Sequence, residues 1–203
     1  MVIGIDKRMY VAAVICTLML LGLSACNRSE TSEFHSIDVT GADYARTWSM
    51  PDAYGQQRSL DEFKGQVVYI FFGYTQCPDV CPTTMAEIAS VKKNLGTDSR
   101  KFQVIFVTVD PERDTPEILR AYVGAFDENA IALVGNSEQL DKMAREFKVV
   151  YQKVPGQSEG TYTMDHSAGG YIYDTQGKLR LYSKYGMPVA DLTADIVKLL
   201  QGR

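Results

Sequence analysis

Two cysteines, Cys77 and Cys81, stand in the segment GYTQCPDVCPTTM of residues 73–85, with three residues between them. Two thiols at this spacing can close a small, reducible disulfide ring, or they can bind one soft metal ion together. Thiolates prefer Cu(I), zinc and iron–sulfur clusters to hard cations. The alternative is that both are small apolar residues packed beside the end of a strand. A proline follows each cysteine, and such a pair at a helix N-terminus favours redox or metal chemistry over simple packing.

The elements around the cysteines predict how they are positioned. Residues 67–72 read VVYIFF, an apolar run rich in β-branched and aromatic residues that predicts a buried strand. Pro82 and the residues after it predict a helix over 85–95 with proline in its first turn. The cysteines therefore lie where a core strand leads into a helix N-terminus. Free backbone N–H groups and the positive end of the helix dipole are expected to favour thiolates there.

Composition and cysteine count narrow the class of protein. The chain has 203 residues, 45% of them hydrophobic, and a formal net charge of −4, so we expect no nucleic-acid partner. Cys16 and Cys26 belong to the N-terminal region, which leaves Cys77 and Cys81 as the cysteines of the predicted domain. A disulfide between residues so close in sequence would constrain the unfolded chain little, which argues against a purely structural bridge.

The N-terminus predicts export. After Asp6-Lys7-Arg8, residues 9–23 carry no charge; this stretch is too short for a comfortable transmembrane helix and fits a signal peptide. It ends in LSAC at Cys26, which resembles the lipobox of bacterial lipoproteins and implies cleavage after residue 25 and a lipid on Cys26. An uncleaved N-terminal anchor is the alternative. Either way, we expect the rest to be exported and anchored to a bacterial membrane, with the domain in the periplasm or otherwise outside the cytoplasmic membrane.

The remaining chain divides into a tether and one domain. Residues 26–42 are predicted to be a polar tether, in which His35 is solvated, and residues 43–203 a single α/β domain. Further strands are predicted at residues 48–51, 102–109, 130–134, 149–154, 171–173 and 179–182, and further helices at 116–126, 137–147 and 189–200. This order predicts a thioredoxin-like fold: a mixed sheet with helices on both faces, closed by a C-terminal β-hairpin and helix.

His166 is the single histidine of the predicted domain. We expect it to open the strand that precedes the hairpin, where a thioredoxin-type fold carries its cis-proline, facing the cysteine loop. A lone histidine usually makes structural hydrogen bonds. Opposite two cysteines it would complete a set of two sulfurs and one nitrogen, which suits three-coordinate Cu(I), or Cu(II) with an added oxygen ligand. A structural zinc site would require a fourth ligand, and the domain has no further cysteine or histidine to supply it.

Three segments together resemble the SCO/SenC family: residues 73–85, DPERDTPEILRAY at 110–122 and DHSAGGYIYD at 165–174. The resemblance covers about residues 43–200. Members are membrane-tethered copper-binding proteins needed to assemble cytochrome c oxidase. The resemblance implies copper, as Cu(I) or Cu(II), bound by Cys77, Cys81 and His166. It also implies a metallochaperone rather than an enzyme, which helps to metallate the dinuclear copper centre of oxidase subunit II.

The same resemblance implies the partners: oxidase subunit II, an upstream copper donor protein, and a membrane reached through the lipid anchor. We expect a monomer. Around the metal ligands, Asp79 is a candidate to bond loop amides or to tune the charge, and Asp165 is a candidate to orient the His166 ring. Met164 is either a soft contact or a packing residue, and packing is favoured.

The alternative function is a thiol–disulfide reductase that acts on the oxidase copper-site cysteines or on other exported proteins. In that hypothesis Cys77 attacks a substrate disulfide and Cys81 resolves it. The C-x-x-x-C spacing, together with a histidine where the reductases carry proline, favours metal binding.

Overall fold

The computed structural model describes residues 34–203. In this part of the chain the strands, in order, are β1 (Ile37–Asp38), β2 (Ser49–Pro51), β3 (Gln57–Ser59), β4 (Val67–Gly73), β5 (Phe102–Thr108), β6 (Ile131–Leu133), β7 (Tyr151–Pro155), β8 (Tyr162–His166), β9 (Gly170–Tyr173) and β10 (Leu179–Ser183). The α-helices are α1 (Val80–Asn94), α2 (Pro116–Gly124), α3 (Ser137–Phe147) and α4 (Val189–Leu200). Short 3-10 helices lie at Leu60–Phe63 and Gly96–Lys101.

The strands build one central sheet and two outlying ribbons. The six-stranded sheet has the order β1-β10-β9-β4-β5-β6, with β4, β5 and β6 parallel and β9 antiparallel to β4. The strands β2 and β3 form one separate antiparallel ribbon, and β7 and β8 form another. Helix α1 packs against α4. Parallel strands joined by helices place the carboxyl ends of β4 and β5 at the same edge of the sheet.

The middle of the sheet is buried on both faces. Adjacent residues of a strand point to opposite faces. On one face Phe72 meets the ring of Phe147 from α3, with centroids 5.2 Å apart. On the other, Phe71 lies against Phe106 of β5, which in turn contacts Tyr122 of α2 at 5.4 Å. Helices therefore cover both faces, and the predicted thioredoxin-like arrangement with its terminal hairpin and helix is confirmed.

Two predicted boundaries near the cysteines and the histidine are wrong. Helix α1 begins at Val80, so Cys81 lies inside its first turn instead of ahead of it. His166 does not open the strand before the hairpin; it is the last residue of β8, a strand that was not predicted. The strand forms because β8 pairs with β7, with Tyr151 opposite His166. Such pairing is a tertiary contact that local periodicity does not reveal.

The folded unit also begins earlier than predicted. Phe34 is buried, and β1 pairs with β10, so residues from 34 onward belong to the domain rather than to a tether reaching residue 42. The buried carboxylate of Asp195 in α4 accepts hydrogen bonds from the backbone N–H groups of His35 and Ser36, at 2.9 and 2.7 Å. This carboxylate, on α4 near the other end of the sequence, holds the N-terminal segment in place.

His35 itself has a half-exposed side chain, with Nδ1 3.8 Å from Asp191. The predicted signal peptide, residues 1–25, and the predicted lipid site Cys26 lie outside the described residues. Within residues 34–203, no helix has both the length and the apolar character needed to cross a membrane.

Both outer edges of the central sheet are short or covered. At one edge, β1 is two residues long. At the other, the segment after β2 runs alongside β6: Ala53 N–H donates to the Ala132 carbonyl at 2.9 Å, and Val134 N–H donates to the Pro51 carbonyl at 3.0 Å. The backbone groups on the outer side of β6 are therefore partly paired within the chain.

Candidate metal centre

The two cysteines lie at the carboxyl end of β4, one half-buried and one buried. Cys81 has no exposed surface, whereas Cys77 is partly accessible, and both are free thiols. The backbone N–H of Cys81, in the first turn of α1, donates to the Cys77 sulfur at 3.4 Å. An otherwise unpaired N–H of a helix start thus contacts a sulfur, as the sequence predicted for this position.

The floor beneath Cys81 is apolar and tightly packed. A Cβ placed on Gly73, the last residue of β4, would lie 3.0 Å from the Cys81 sulfur, 2.9 Å from the Phe106 ring and 3.0 Å from the Phe71 ring. Only the missing side chain of glycine lets the sulfur approach the strand so closely. The hydroxyl of Tyr122, which packs on Phe106, is also buried without a hydrogen-bond partner. Cys81 is thereby cut off from water on this side.

This burial changes the chemistry of the thiol. Desolvation raises the pKa of Cys81 well above its usual range, and the neighbouring Cys77 side chain and the Asp114 carboxylate raise it further. A hydrogen bond from the backbone at Tyr74 opposes the shift. Desolvation therefore opposes, at Cys81, the thiolate that the sequence leads one to expect at a helix start.

His166 reaches the same place from the end of β8. Its Nε2 lies 3.5 Å from the Cys81 sulfur, although the two residues are 85 positions apart in sequence. Its Nδ1 lies 3.0 Å from the Ser167 carbonyl oxygen. Because a carbonyl only accepts, Nδ1 carries the proton, and Nε2 directs its lone pair at the sulfur. The rings of Phe71 and Tyr74 pack edge-on against the imidazole at 6.2 and 6.0 Å.

The environment favours the neutral form of this imidazole. Burial lowers the pKa of His166, while the Ser167 carbonyl and the charge of Asp165 act in the opposite direction. Asp165 was predicted to orient the ring. The structure gives that role to the Ser167 carbonyl, and the exposed Asp165 acts on the ring through its charge. Neutral imidazole is the form that binds metals.

The other candidate residues surround the opening. Cys77, Asp79, Met164, Asp165 and His166 all line an open depression of about 270 Å³. The Asp79 carboxylate accepts a hydrogen bond from the Thr83 hydroxyl at 3.3 Å, so it is held within the first turn of α1. Met164 is 6% exposed and belongs to the hydrophobic core.

The three predicted ligands are near one another but do not already form a metal cage. Cys81 contacts both Cys77 and His166. Among residues 34–203, however, no three cysteine, histidine or acidic side chains converge on one point as a metal site requires. The Cys77 sulfur faces the start of α1. The assignment of Cys77, Cys81 and His166 as a ligand set stays a prediction.

Sequence reasoning missed the part played by the loop after β5. Asp114 is fully buried and accepts hydrogen bonds from the Thr75 backbone N–H, from the Thr75 hydroxyl at 2.6 Å and from the Thr108 hydroxyl at 2.6 Å. Burial raises the pKa of this carboxyl, and the bonds from Thr108 and Thr75 oppose the shift. Asp114 thus ties the cysteine loop to the end of β5. The sequence signal was the acidic DPERD run at residues 110–114 directly after a buried strand.

The comparisons with known proteins agree on one family. The family model described as SCO1/SenC matches residues 38–201. A SCO2-like protein of Rickettsia felis is 37% identical over 128 residues, which is 63% of this chain and 62% of that protein. The chain therefore spans less than two thirds of the length of that curated relative.

Two solved structures extend the comparison. The structure of Bradyrhizobium japonicum ScoI with copper bound is 36% identical, with a TM-score of 0.68, and the match covers 75% of this chain and 97% of that one. A SCO1/SenC family lipoprotein from Bacillus anthracis is 28% identical, with a TM-score of 0.63, over 75% of this chain and 92% of that one. Together with the family match over residues 38–201, these likenesses lead to one conclusion: the chain belongs to the SCO1/SenC family.

Proposed function

We propose that this protein is a membrane-tethered copper metallochaperone that binds copper through Cys77, Cys81 and His166. The observation that carries the proposal is the approach of His166 Nε2 to the Cys81 sulfur, 3.5 Å across a sequence separation of 85 residues, beside a second cysteine. The copper-bound ScoI relative supports copper as the cargo. Two sulfurs and one imidazole nitrogen suit Cu(I), and an added oxygen ligand would accommodate Cu(II).

The residues present fit such an ion. His166 is neutral and presents a lone pair, so its nitrogen is ready to bind. The Cys81 thiol must lose its proton, which burial resists, and the Cys77 side chain must turn from the start of α1 towards the imidazole. A bound Cu(I) would offset one of the two thiolate charges and Cu(II) would offset both, which lowers the cost of deprotonating the buried Cys81. We therefore expect binding to release protons and to weaken as the pH falls.

The proposed cellular role follows from the family. The cargo would pass from an upstream copper donor protein to the dinuclear copper centre of cytochrome c oxidase subunit II. A lipid on Cys26 would hold the protein on the membrane, with its domain outside the cytoplasm. The lipoprotein relative from Bacillus anthracis supports this anchoring.

A comparison of the chain's two histidines tests the copper site. Replacing a residue that binds copper directly should weaken copper retention by at least about tenfold. Even residues that only hydrogen-bond to metal ligands change metal affinity by about 10–100-fold when they are replaced. We expect this loss for His166→Ala. The control, His35→Ala, removes a half-exposed histidine beside Asp191 that does not line the depression of the candidate site, and it should bind like the wild type. Competition with a Cu(I) chelator, together with metal analysis, measures the retention. Undiminished binding by His166→Ala would refute the three-ligand site.

The asymmetric burial of the cysteines supports a second candidate, thiol–disulfide reduction. Cys77 is accessible and can attack a substrate disulfide, which forms a mixed disulfide and releases one substrate thiol. The neighbouring Cys81 can then displace the second substrate thiol and leave a Cys77–Cys81 disulfide. The same His166→Ala variant separates the two functions, because a reductase would keep its activity after losing copper.

A further inference from the structure

Arg113 lies at the centre of a cluster beside the candidate site. Its Nε donates to Asp110 Oδ2 at 2.5 Å, and its Nη1 donates to the Tyr162 carbonyl at 3.0 Å. The guanidinium also stacks over the Tyr162 ring, 3.6 Å from the centroid. The Tyr162 hydroxyl completes the cluster by donating to Asp110 Oδ1 at 2.8 Å. Tyr162 begins β8, the strand that ends at His166.

The same loop also holds the cysteine loop. Nη1 of Arg113 donates to the Gln76 side chain at 3.2 Å, next to Cys77. Its neighbour Asp114 accepts the hydrogen bonds of Thr75. Residues 110–114, here named the bracket, thus contact the segment that carries the cysteines and the strand that carries the histidine.

Within the described part of the chain, β7 and β8 pair with each other and with no strand of the central sheet. Side-chain contacts therefore contribute much to holding the β7–β8 ribbon against the rest of the domain. The bracket supplies a further one, since Glu112 pairs with Lys153 of β7 at 2.5 Å. Lys153 in turn lies 4.8 Å from the Tyr162 ring centroid. Tyr162 consequently has two cations near its ring and a buried carboxylate at its hydroxyl.

One donor of the Arg113 guanidinium takes no part in the cluster. Nη2 of Arg113 is buried without a hydrogen-bond partner. The hydrogen bonds to Asp110 and Tyr162 and the stack over the Tyr162 ring therefore set the orientation of the guanidinium, at the cost of that one donor. The planar guanidinium of arginine is needed here, because one rigid group contacts the Asp110 carboxylate, the Tyr162 carbonyl and the Tyr162 ring.

We propose that Arg113 is a positioning residue, which holds the β7–β8 ribbon so that His166 stays within reach of Cys81 and thereby sets how slowly copper is released. The proposal rests on the copper site described above. When the bracket loosens, the ribbon moves away from the cysteine loop and the imidazole leaves the ion. Arg113 acts through Tyr162 and touches neither the cargo nor the sulfurs.

The test compares two arginine-to-lysine variants of the full chain. Arg113→Lys keeps a cation beside Asp110 but loses the planar stack over Tyr162 and the forked donors. Arg58→Lys is the matched control: Arg58 has the same 21% side-chain exposure, pairs with the buried Asp52 at 3.3 Å and lies over the Phe63 ring at 5.4 Å. Two quantities are measured: hydrogen–deuterium exchange of the β7–β8 amides in metal-free protein, and the rate of copper transfer to a chelator.

For Arg113→Lys we expect both rates to rise about tenfold, the effect of losing one desolvated cation–π contact and one hydrogen bond. Arg58→Lys should change neither. Unchanged ribbon exchange in Arg113→Lys would overturn the proposal, and so would an equal increase in Arg58→Lys or faster exchange with unaltered copper release. If the wild type retains no copper, the proposed function fails and the effect on release falls with it, while exchange in the metal-free protein still decides whether Arg113 holds the ribbon.

Discussion

At the scale of single residues, the chemistry of the site depends on the absence of a side chain at Gly73, beside Cys81. Gly73 has no side chain, and this gap admits the sulfur and two aromatic rings to the end of β4. The contact removes water from the thiol and holds its proton in place. A lone pair from His166 then meets the protonated sulfur, so the two side chains form a neutral hydrogen bond.

Filling the gap should disturb this arrangement. In Gly73→Ala the new methyl group would meet the Phe106 ring at 2.9 Å and the Cys81 sulfur at 3.0 Å, closer than a Cβ normally approaches any atom. Overpacking of this kind costs roughly 1–3 kcal/mol, so chemical denaturation should show a loss of that size together with weaker copper binding.

Gly124→Ala provides the control for that substitution. A Cβ at this helical position would meet nothing within 4 Å. Alanine also favours a helix over glycine by up to about 1 kcal/mol. The variant should therefore be as stable as the wild type or slightly more so, with normal copper binding. Equal stability of the two alanine variants would show that the site relaxes around the methyl group.

The residues of the candidate site were predictable to different degrees. Cys77 and Cys81 stand out because their type and spacing are unusual in themselves, whereas His166 was selected through the resemblance to the SCO/SenC family. The Ser167 carbonyl that directs the His166 ring could not be predicted, since a backbone group leaves no signal in the sequence. Nor could the contacts of Arg113, because Tyr162 lies 49 positions away and only the folded chain brings them together.

At the scale of elements, hydrophobic patterns predicted the buried centre well and the periphery poorly. The strands β4 and β5 are continuous apolar runs because both faces of the sheet are covered, and such runs are readable. Strand β8 is polar and half exposed, and it exists because it pairs with β7. The two-residue β1 depends in the same way on β10 and on a carboxylate of α4.

The contacts of β1 and the segment before it with β10 and α4 predict that the domain loses stability when it is shortened to residue 43. A chain that begins at residue 43 would lose β1 and the buried Phe34 and would leave Asp195 without its two N–H donors. Hydrogen bonds to charged groups contribute about 1.5–3 kcal/mol each, so the free energy of unfolding should fall by roughly 3 kcal/mol or more.

Chains that begin at residues 27 and 34 serve as controls for that truncation. Both keep Phe34 and the donors to Asp195, and their thermal unfolding midpoints should agree. A chain beginning at residue 43 that unfolds at the same temperature would contradict the contribution of β1.

At the scale of the whole molecule, the neutral imidazole links stability to pH. Burial lowers the pKa of His166 in the folded protein below the usual value of 6.5. As the pH falls through about 6.5, the unfolded chain takes up a proton at this residue before the folded one does. The contribution of His166 is therefore present above that pH and is lost below it, by at most about 1.4 kcal/mol per pH unit.

Denaturation of metal-free protein between pH 7.5 and pH 5 would reveal this dependence. His166→Gln cannot titrate in this range, so its stability should decline less steeply than that of the wild type. The difference between the two slopes isolates the imidazole from all other groups. Parallel slopes would mean that His166 takes up its proton equally in both states.

The edges of the central sheet have a consequence for recognition. Many domains capture a peptide by adding it as one more strand. Within residues 34–203, that route is hindered on both sides: β1 offers two residues, and Ala53 and Pro51 already bond to the backbone along β6. For the same reason, edge-to-edge pairing of the central sheets of two molecules is hindered. The partly accessible Cys77 lies in the loops at the strand ends, so under the proposed function a protein that accepts copper would have to contact those loops.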